Sequence, residues 1–363
     1  MSSQSPSAIR RRGFRWGLKR STMAFEKVKE IIKDAPAFAQ LTDLAAERLG
    51  GKVLYATDDF FAEKENLIKP TRGIFITDKY TDRGKWMDGW ESRRKRTPGH
   101  DWVIVQLATP GKIVGFDIDT NFFLGNHPPH ASIEAANLTD TSSISDWDKI
   151  IWKEILPKSH LDAGSQNFYE SNSNEIYTHI RLHIYPDGGV ARLRVYGEVF
   201  KNWDLVSVNE EIDLAAAING GKAVACNDMF FSAMGNLIMP GRGVNMGDGW
   251  ETKRNRTPGN RDWVILKLAR PGNIERIVVD TCHFKGNYPD SCSVEGCLSS
   301  NDEDMIKDKV QWAEVLPKQK LSADHEHEFV KEISHNAVVS HVRLNIFPDG
   351  GISRLRLFGK KKD

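Results

Sequence analysis

The segment RLHIYPDGGVARLRVYG, residues 181–197, returns as RLNIFPDGGISRLRLFG at residues 343–359, with eleven identities in seventeen positions. Apolar and polar residues alternate on both sides of the Pro-Asp-Gly-Gly turn, as in strands that place one face on a core and the other in solvent. Glycine supplies the positive φ that such a turn requires. The pair of segments therefore predicts β structure that the chain contains twice.

A second motif repeats in the same order. DGWESRRKRTPG at residues 88–99 matches DGWETKRNRTPG at residues 248–259 in nine of twelve positions. A period this long, present twice, indicates a duplicated domain rather than a solenoid. DWVIVQLATPGKIVGFDIDT, residues 101–120, adds two short β-branched runs broken by Thr-Pro-Gly. We predict a mainly β fold of two tandem jelly-roll β-sandwich domains.

The predicted domain boundaries follow from the repeats and from the unusual N-terminus. Residues 26–200 form the first repeat and residues 201–363 the second. Residues 1–25 contain five arginines and one lysine but no acidic residue, and they are predicted to be a targeting or disordered leader outside the fold. Helical patterns are limited to AFEKVKEIIKDA, residues 24–35, to LTDLAAERLG, residues 41–50, which ends in a glycine cap, and to short pieces elsewhere.

Composition excludes several classes of function. The chain has 363 residues with 50 Lys and Arg against 49 Asp and Glu, and this balance argues against nucleic-acid binding through RRKR. No run of 18 apolar residues exists, so no transmembrane helix is predicted. All four cysteines fall in the second half, which favours free thiols in a reducing compartment over disulfides. We predict a cytoplasmic protein, with the peroxisome and the mitochondrion as alternatives.

Four long motifs carry a resemblance to a known family. LAAERLGGKVLYATDDFF (44–61), GKWMDGWESRRKRTPGHDW (84–102), DIDTNFFLGNHPP (117–129) and YPDGGVARLRVYG (185–197), with their second-half counterparts, resemble allantoicase. The resemblance implies hydrolysis of allantoate to ureidoglycolate and urea in purine breakdown. It also implies galactose-binding-like jelly-roll domains and a homo-oligomer. It does not specify the catalytic residues, which have to be argued from chemistry.

The carboxylate of allantoate requires a cationic partner, and a planar guanidinium can bind it through two parallel hydrogen bonds. Four arginines of the first half recur in the second half and are the predicted substrate-binding residues: Arg94, Arg96, Arg192 and Arg194. The alternative is that arginines kept in both halves only hold loops in place. Arg93 and Lys95 are replaced by Lys253 and Asn255, which predicts that they belong to a solvated face.

Breaking the C–N bond of allantoate also requires a proton for the departing urea and a base. We expect these groups mainly in the first repeat, where the halves diverge. The predicted catalytic residues are Asp58, Asp59, Glu91, His127 and His130. His127 and His130 stand where the second half has Tyr288 and Ser291, and the alternative for each is an exposed loop residue. The extra segment ITDKYTDRGKWM, residues 76–87, is a predicted lid.

Other patterns leave alternatives open. DHEHEF, residues 324–329, fits either a divalent-metal site or a solvated charge cluster, so a divalent metal stays an open option and no other cofactor is predicted. Five tryptophans are predicted to pack in the core rather than to line a ligand wall: Trp86, Trp90, Trp102, Trp250 and Trp263. The alternative to an enzyme is a non-catalytic tandem module that binds carbohydrates or small ligands.

Overall fold

The fold is built from strands in both halves of the chain. The structure is a computed structural model and describes residues 35–139, 141, 144, 146–307, 309–334 and 337–362. The predicted leader lies outside these residues, as does nearly all of the first predicted helix. The strands of the first repeat are β1 (Thr42–Asp43), β2 (Lys52–Ala56), β3 (Tyr80–Thr81), β4 (Gly84–Lys85), β5 (Trp90–Glu91), β6 (Asp101–Asp119), β7 (His130–Ala136), β8 (Lys153–His160), β9 (Phe168–Glu170), β10 (Ile176–Tyr185), β11 (Gly189–Val190) and β12 (Arg192–Val199).

The second repeat has the same order of strands apart from the β3–β4 hairpin, which lies in the extra segment at residues 76–87 of the first repeat. Its strands are β13 (Ile212–Asp213), β14 (Lys222–Cys226), β15 (Trp250–Glu251), β16 (Asp262–Asp280), β17 (Ser291–Cys297), β18 (Ala313–Lys320), β19 (Glu326–Phe329), β20 (Val339–Phe347), β21 (Gly351–Ile352) and β22 (Arg354–Lys361). Among the described residues, the main sheet of each repeat has eight strands. Six follow the order β1-β12-β6-β10-β7-β8 in the first repeat and β13-β22-β16-β20-β17-β18 in the second. The other two are β2 and β9, which pair with β6, and β14 and β19, which pair with β16.

Strand β6 joins the two layers of the first sandwich. Its first half pairs with β2 and β10, and its second half pairs with β9 and β12. The predicted break at Thr-Pro-Gly is therefore wrong, because β6 runs through Pro110 without interruption. Proline is tolerated there because the pairing with β10 shifts register between Tyr177 and His179, where a ladder hydrogen bond is not required.

The helical segments described are short. They are the 3-10 helices Ala37–Gln40, Glu47–Leu49, Lys64–Ile68, Trp147–Lys149, Trp203–Leu205, Ala217–Asn219, Met234–Ile238 and Met246–Asp248, and the α-helix Asp302–Ile306. The helix predicted over residues 41–50 is wrong: β1 and one 3-10 turn take its place. Gly50 does end that turn with a φ of 111°, as the predicted glycine cap requires. No described helix has the length and apolar character needed to cross a membrane.

Each repeat encloses its own core. Trp90 and Trp250 are fully buried in the first and second core, and their indole N–H groups donate to the carbonyls of Asp58 and Asp228. The prediction of core packing is confirmed for these two tryptophans. It is wrong for Trp86, Trp102 and Trp263, which are only half-buried. The four cysteines are buried and free, as predicted. The mainly β fold with an internal duplication is confirmed, while the domain boundaries given above stay a prediction.

Candidate functional site

Three loops of the first repeat meet at one end of the sandwich, around Glu91. Strand β5, which contains Glu91, pairs with β11 in the turn that follows β10. The Gly189 N–H donates to the Asn126 carbonyl across 2.8 Å, and the Ser92 N–H donates to the Gly188 carbonyl across 3.1 Å. Gly188 has a φ of 137°, and a Cβ there would lie 2.6 Å from the Asn126 carbonyl oxygen. The Gly-Gly turn therefore allows the loop that carries Asn126 to reach Glu91.

Glu91 borders a cleft of about 370 Å³, which we call the Glu91 cleft. Burial raises the pKa of the half-buried Glu91 carboxyl, and a hydrogen bond of 2.7 Å from Asn126 Nδ2 to its Oε1 opposes the rise. The cleft is lined by Phe61, Lys85, Met87, Glu91, Phe122, Leu124, Gly125 and Asn126. Its wall is largely apolar, and Glu91 provides a carboxylate with one oxygen held in place.

The two predicted histidines lie in different surroundings. His127 directly follows Asn126, and its Nδ1 is buried with no hydrogen-bond partner among the described residues. His130 begins β7, where it pairs with Tyr185 and places its ring 5.6 Å from that of His160. The structure therefore places His127 in the loop that contacts Glu91, whereas His130 lies in the sheet.

Asp58 connects two loops through its carboxylate. Its Oδ1 accepts hydrogen bonds from the Phe60 and Arg93 N–H groups, and its Oδ2 accepts one of 2.7 Å from Arg93 Nε. Burial raises the pKa of Asp58, but these hydrogen bonds outweigh that effect and lower it overall. Asp228 accepts the same two backbone hydrogen bonds from Phe230 and Lys253 in the second repeat. Asp59, in contrast, is partly exposed and lies 3.6 Å from Lys64 Nζ.

The basic residues of the 88–99 motif differ in their exposure and in their partners. Arg94 and Arg96 are exposed and have no hydrogen bond or ion pair with any described residue. Arg93 pairs with Asp58, and Lys95 Nζ lies 2.5 Å from the buried carboxylate of Asp101. The predicted solvated face holds for Arg93, whose side chain is exposed, and is wrong for Lys95, which is half-buried against the buried Asp101.

The strand arginines lie below the loops. Arg192 is buried and donates to Asp88 Oδ2 across 2.8 Å and to the Thr71 carbonyl across 2.6 Å. Arg194 contacts Asp43 at 3.4 Å and donates to the Thr71 carbonyl at 3.2 Å. Protein groups therefore occupy both guanidinium groups. Their contacts with Thr71 and Asp88 hold the segment before Glu91 in place.

Sequence reasoning missed Asn126, which holds the Glu91 carboxylate. The Gly-Asn pair at residues 125–126 recurs as residues 286–287, and Asn287 Nδ2 lies 2.6 Å from Glu251 Oε1. Two polar positions kept in both halves, Glu and Asn, were the available signal. This repetition predicts that the Glu and Asn side chains contact each other, because both residues lie in loops at the same end of the sandwich.

The described residues contain no group of three or more His, Cys, Asp or Glu arranged to hold a metal ion. In the 324–329 segment, His327 Nε2 accepts from the Ser322 N–H across 2.8 Å, and its ring contacts that of His325. His327 lies in β19, and its Nδ1 lies 3.1 Å from the Val279 carbonyl of β16, so backbone groups engage both of its ring nitrogens.

Comparison with known proteins gives a consistent result. The model of the allantoicase repeat matches residues 42–200 and 212–362. Proteins named probable allantoicase from Photobacterium profundum and Stutzerimonas stutzeri are both 52% identical, over 92% and 90% of this chain and 100% and 98% of theirs. The crystal structure of allantoicase from Saccharomyces cerevisiae matches with a TM-score of 0.77 at 39% identity, covering 93% of this chain and 98% of that one.

Proposed function

The chain belongs to the allantoicase family and hydrolyses allantoate to ureidoglycolate and urea in purine degradation, and we propose that the reaction takes place at the Glu91 cleft. The observation that carries this placement is the Glu91 carboxylate, which Asn126 holds and whose pKa is raised. His127 follows Asn126 in the chain, and its buried Nδ1 has no hydrogen-bond partner among the described residues. Perturbed carboxyl groups beside a second titratable group are typical of acid–base sites.

Glu91 is the proposed general base. Asn126 occupies Oε1, which leaves Oε2 to accept a proton from the attacking water. A raised pKa makes this carboxylate a stronger base than an exposed glutamate, while Asn126 fixes its orientation. The water oxygen then bonds to the central carbon of allantoate as its proton passes to Glu91.

His127 is the proposed proton donor to the leaving group. As the C–N bond breaks, the departing ureido nitrogen needs a proton, which a protonated imidazole supplies as a general acid. The two products are ureidoglycolate and urea, and the proton on Glu91 returns to His127 through solvent. His127 is a suitable donor because it adjoins Asn126 in the chain and no described residue engages its Nδ1.

Arg94 is the proposed partner of the substrate carboxylate. Its guanidinium is exposed and unpaired among the described residues, and its counterpart Arg254 lines the equivalent cleft of the second repeat. Asp58 and Arg192 are proposed to position the loops rather than to contact substrate, because protein groups already occupy their polar atoms. Asp59, His130, Arg96 and Arg194 are given no step in this mechanism.

The test is urea release from allantoate by variants of the full chain. Glu91→Gln keeps the shape of the side chain and is expected to lower kcat by about 10²- to 10⁴-fold. Glu63→Gln removes an exposed carboxyl nearby and is expected to keep the wild-type rate. An unimpaired Glu91→Gln variant with wild-type Tm would contradict this placement.

We further propose that the chain is a cytoplasmic homo-oligomer with no nucleic-acid partner. The near balance of acidic and basic residues supports the absence of a nucleic-acid partner. Light scattering coupled to size-exclusion chromatography measures the oligomer directly, and a mass of one chain would contradict that part of the proposal.

A further inference from the structure

The second repeat contains a larger cleft at the position equivalent to the Glu91 cleft. Its volume is about 660 Å³, and we call it the Glu251 cleft. It is lined by Phe231, Glu251, Thr252, Arg254, Gly286, Asn287, Tyr288, Asp290, Pro348, Asp349 and Gly350. Four of these residues, Phe231, Glu251, Gly286 and Asn287, correspond to residues that line the Glu91 cleft, so the two repeats present the same set at the same end.

The polar groups of the Glu251 cleft are held in place by the protein. Asn287 Nδ2 lies 2.6 Å from Glu251 Oε1, which leaves Oε2 free to accept a hydrogen bond from a ligand. Asp349 Oδ2 accepts the Asn255 N–H across 2.6 Å, and this contact fixes the loop that carries Arg254. The cleft therefore has an ordered acceptor and an ordered loop before any ligand arrives.

Arg254 supplies the complementary charge. Its side chain is exposed, lines the cleft, and has no hydrogen bond or ion pair with a described residue. A guanidinium of this kind binds a carboxylate bidentately, while Glu251 on the same wall accepts N–H groups. A small molecule with one carboxylate and one or more ureido groups matches both requirements.

The Glu251 cleft lacks the proposed proton donor. Tyr288 stands where the first repeat has His127, so no imidazole follows Asn287. Lys85 of the β3–β4 hairpin lines the Glu91 cleft, and the described part of the second repeat has no counterpart of this hairpin. The binding groups are thus retained, while the group that would protonate the leaving nitrogen and the segment beside it are not.

The first repeat contacts the segment that leads to Glu251. Arg48 donates to Asn236 Oδ1 across 3.1 Å and pairs with Asp248, whose other carboxylate oxygen accepts from Arg354 Nη2 across 2.8 Å. Asn236 in turn donates to the Gly249 carbonyl across 2.8 Å. These contacts hold residues 248–249, directly before β15, against the neighbouring repeat.

We propose that the Glu251 cleft is a second, non-hydrolysing binding site for a small carboxylate that carries ureido groups, the chemical class of the substrate and the product. The choice of ligand class rests on the proposed function, whereas the existence of the site rests on the Glu251, Asn287 and Arg254 geometry. Each chain then binds two such molecules, of which one is hydrolysed.

The experiment is isothermal titration calorimetry of the full chain with allantoate, in a Glu91→Gln background that prevents turnover. Two equivalents per chain are expected. Adding Arg254→Ala is expected to remove one equivalent, and adding Arg94→Ala to remove the other. Lys285→Ala deletes an exposed cation beside the cleft that does not line it, and two equivalents are expected to remain.

The outcomes separate the two proposals. One equivalent that survives Arg254→Ala and disappears with Arg94→Ala overturns the second site and leaves the Glu91 cleft in place. One equivalent that disappears with Arg254→Ala and survives Arg94→Ala supports the Glu251 site and contradicts the proposed placement of the reaction. No binding in the Glu91→Gln background or in the Arg94→Ala single variant overturns the second site.

Discussion

Asn126 Nδ2 lies 2.7 Å from Glu91 Oε1, and this hydrogen bond favours the ionised form of a carboxyl whose pKa is raised by burial. The two effects oppose each other, so the pKa of Glu91 responds to changes in either. The second repeat keeps the same bond between Asn287 and Glu251. The pairing of an amide with a carboxylate is therefore a feature of the duplicated domain, and in the first repeat a histidine follows the amide residue in the chain.

Asn126→Ala tests the proposed role of Glu91 through the pH profile. A general base acts when deprotonated, so kcat rises with pH through its pKa. Removing the Asn126 donor removes a contribution that lowers this pKa, so the acidic limb of the kcat profile is expected to move to higher pH. An acidic limb that stays in place or moves to lower pH would show that Glu91 is not the group that titrates.

Asp58 variants distinguish a positioning role from acid–base chemistry. Asp58→Asn keeps the Oδ1 acceptor for the Phe60 and Arg93 N–H groups, whereas Asp58→Ala removes it. We expect Asn to retain most of the activity and Ala to raise KM, because the loop that carries Arg94 loses its anchor. The measurement is kcat and KM for urea release. Equal losses of kcat in both variants would support the original prediction of a catalytic Asp58.

Sequence reasoning predicted the duplicated β fold because the repeats preserve alternation and turn glycines over long segments. It failed at residues 41–50, where the apolar spacing resembles a helix. Leu44 and Ala45 are fully buried, and Asp43 Oδ1 accepts the N–H groups of Ala45 and Val195. Contacts with β12, distant in sequence, therefore override the local helical preference.

The sequence predicts only part of the candidate site, because residue type does not show which side chains are already bound by other groups of the protein. Residue type predicts Glu91, which both repeats keep, and a difference between the repeats predicts His127. Residue type could not show that Arg192 is buried against Asp88, because an arginine beside a turn can bind either a ligand or a carboxylate of the protein. Only the packing of the 66–73 segment over β12 decides between these two.

Arg192→Met and Arg354→Met form a matched pair for stability. Each removes the guanidinium from a buried ion pair, and breaking such a pair typically costs about 3–5 kcal/mol. After the substitution, Asp88 still accepts a hydrogen bond from the Ile74 N–H. Asp248 still accepts one from the Val244 N–H and also keeps its ion pair with Arg48. We expect Arg192→Met to lower Tm more than Arg354→Met does, by differential scanning calorimetry. Equal shifts in Tm would mean that Arg48 does not compensate for the loss of Arg354.

Asp117→Asn is expected to change how stability depends on pH. Burial raises the pKa of Asp117 to about 7, against the opposing hydrogen bond from Gln166, and its Oδ1 has no hydrogen-bond partner among the described residues. Between the unfolded pKa near 3.8 and about 7, the folded chain holds a proton that the unfolded chain has released. Stability contributed by this group therefore falls as pH rises through that window, by at most about 1.4 kcal/mol per pH unit.

Asparagine stays neutral throughout, so this fall is absent from the variant. The difference in Tm between Asp117→Asn and wild type is expected to grow in favour of the variant from pH 4 to 7 and to level off above 7. Glu63→Gln, which removes an exposed carboxyl, is expected to follow the wild-type curve. Parallel curves for Asp117→Asn and wild type across this range would mean that Asp117 is already ionised in the folded chain at pH 4, and that its burial is offset by the charges of Arg72 and Arg194.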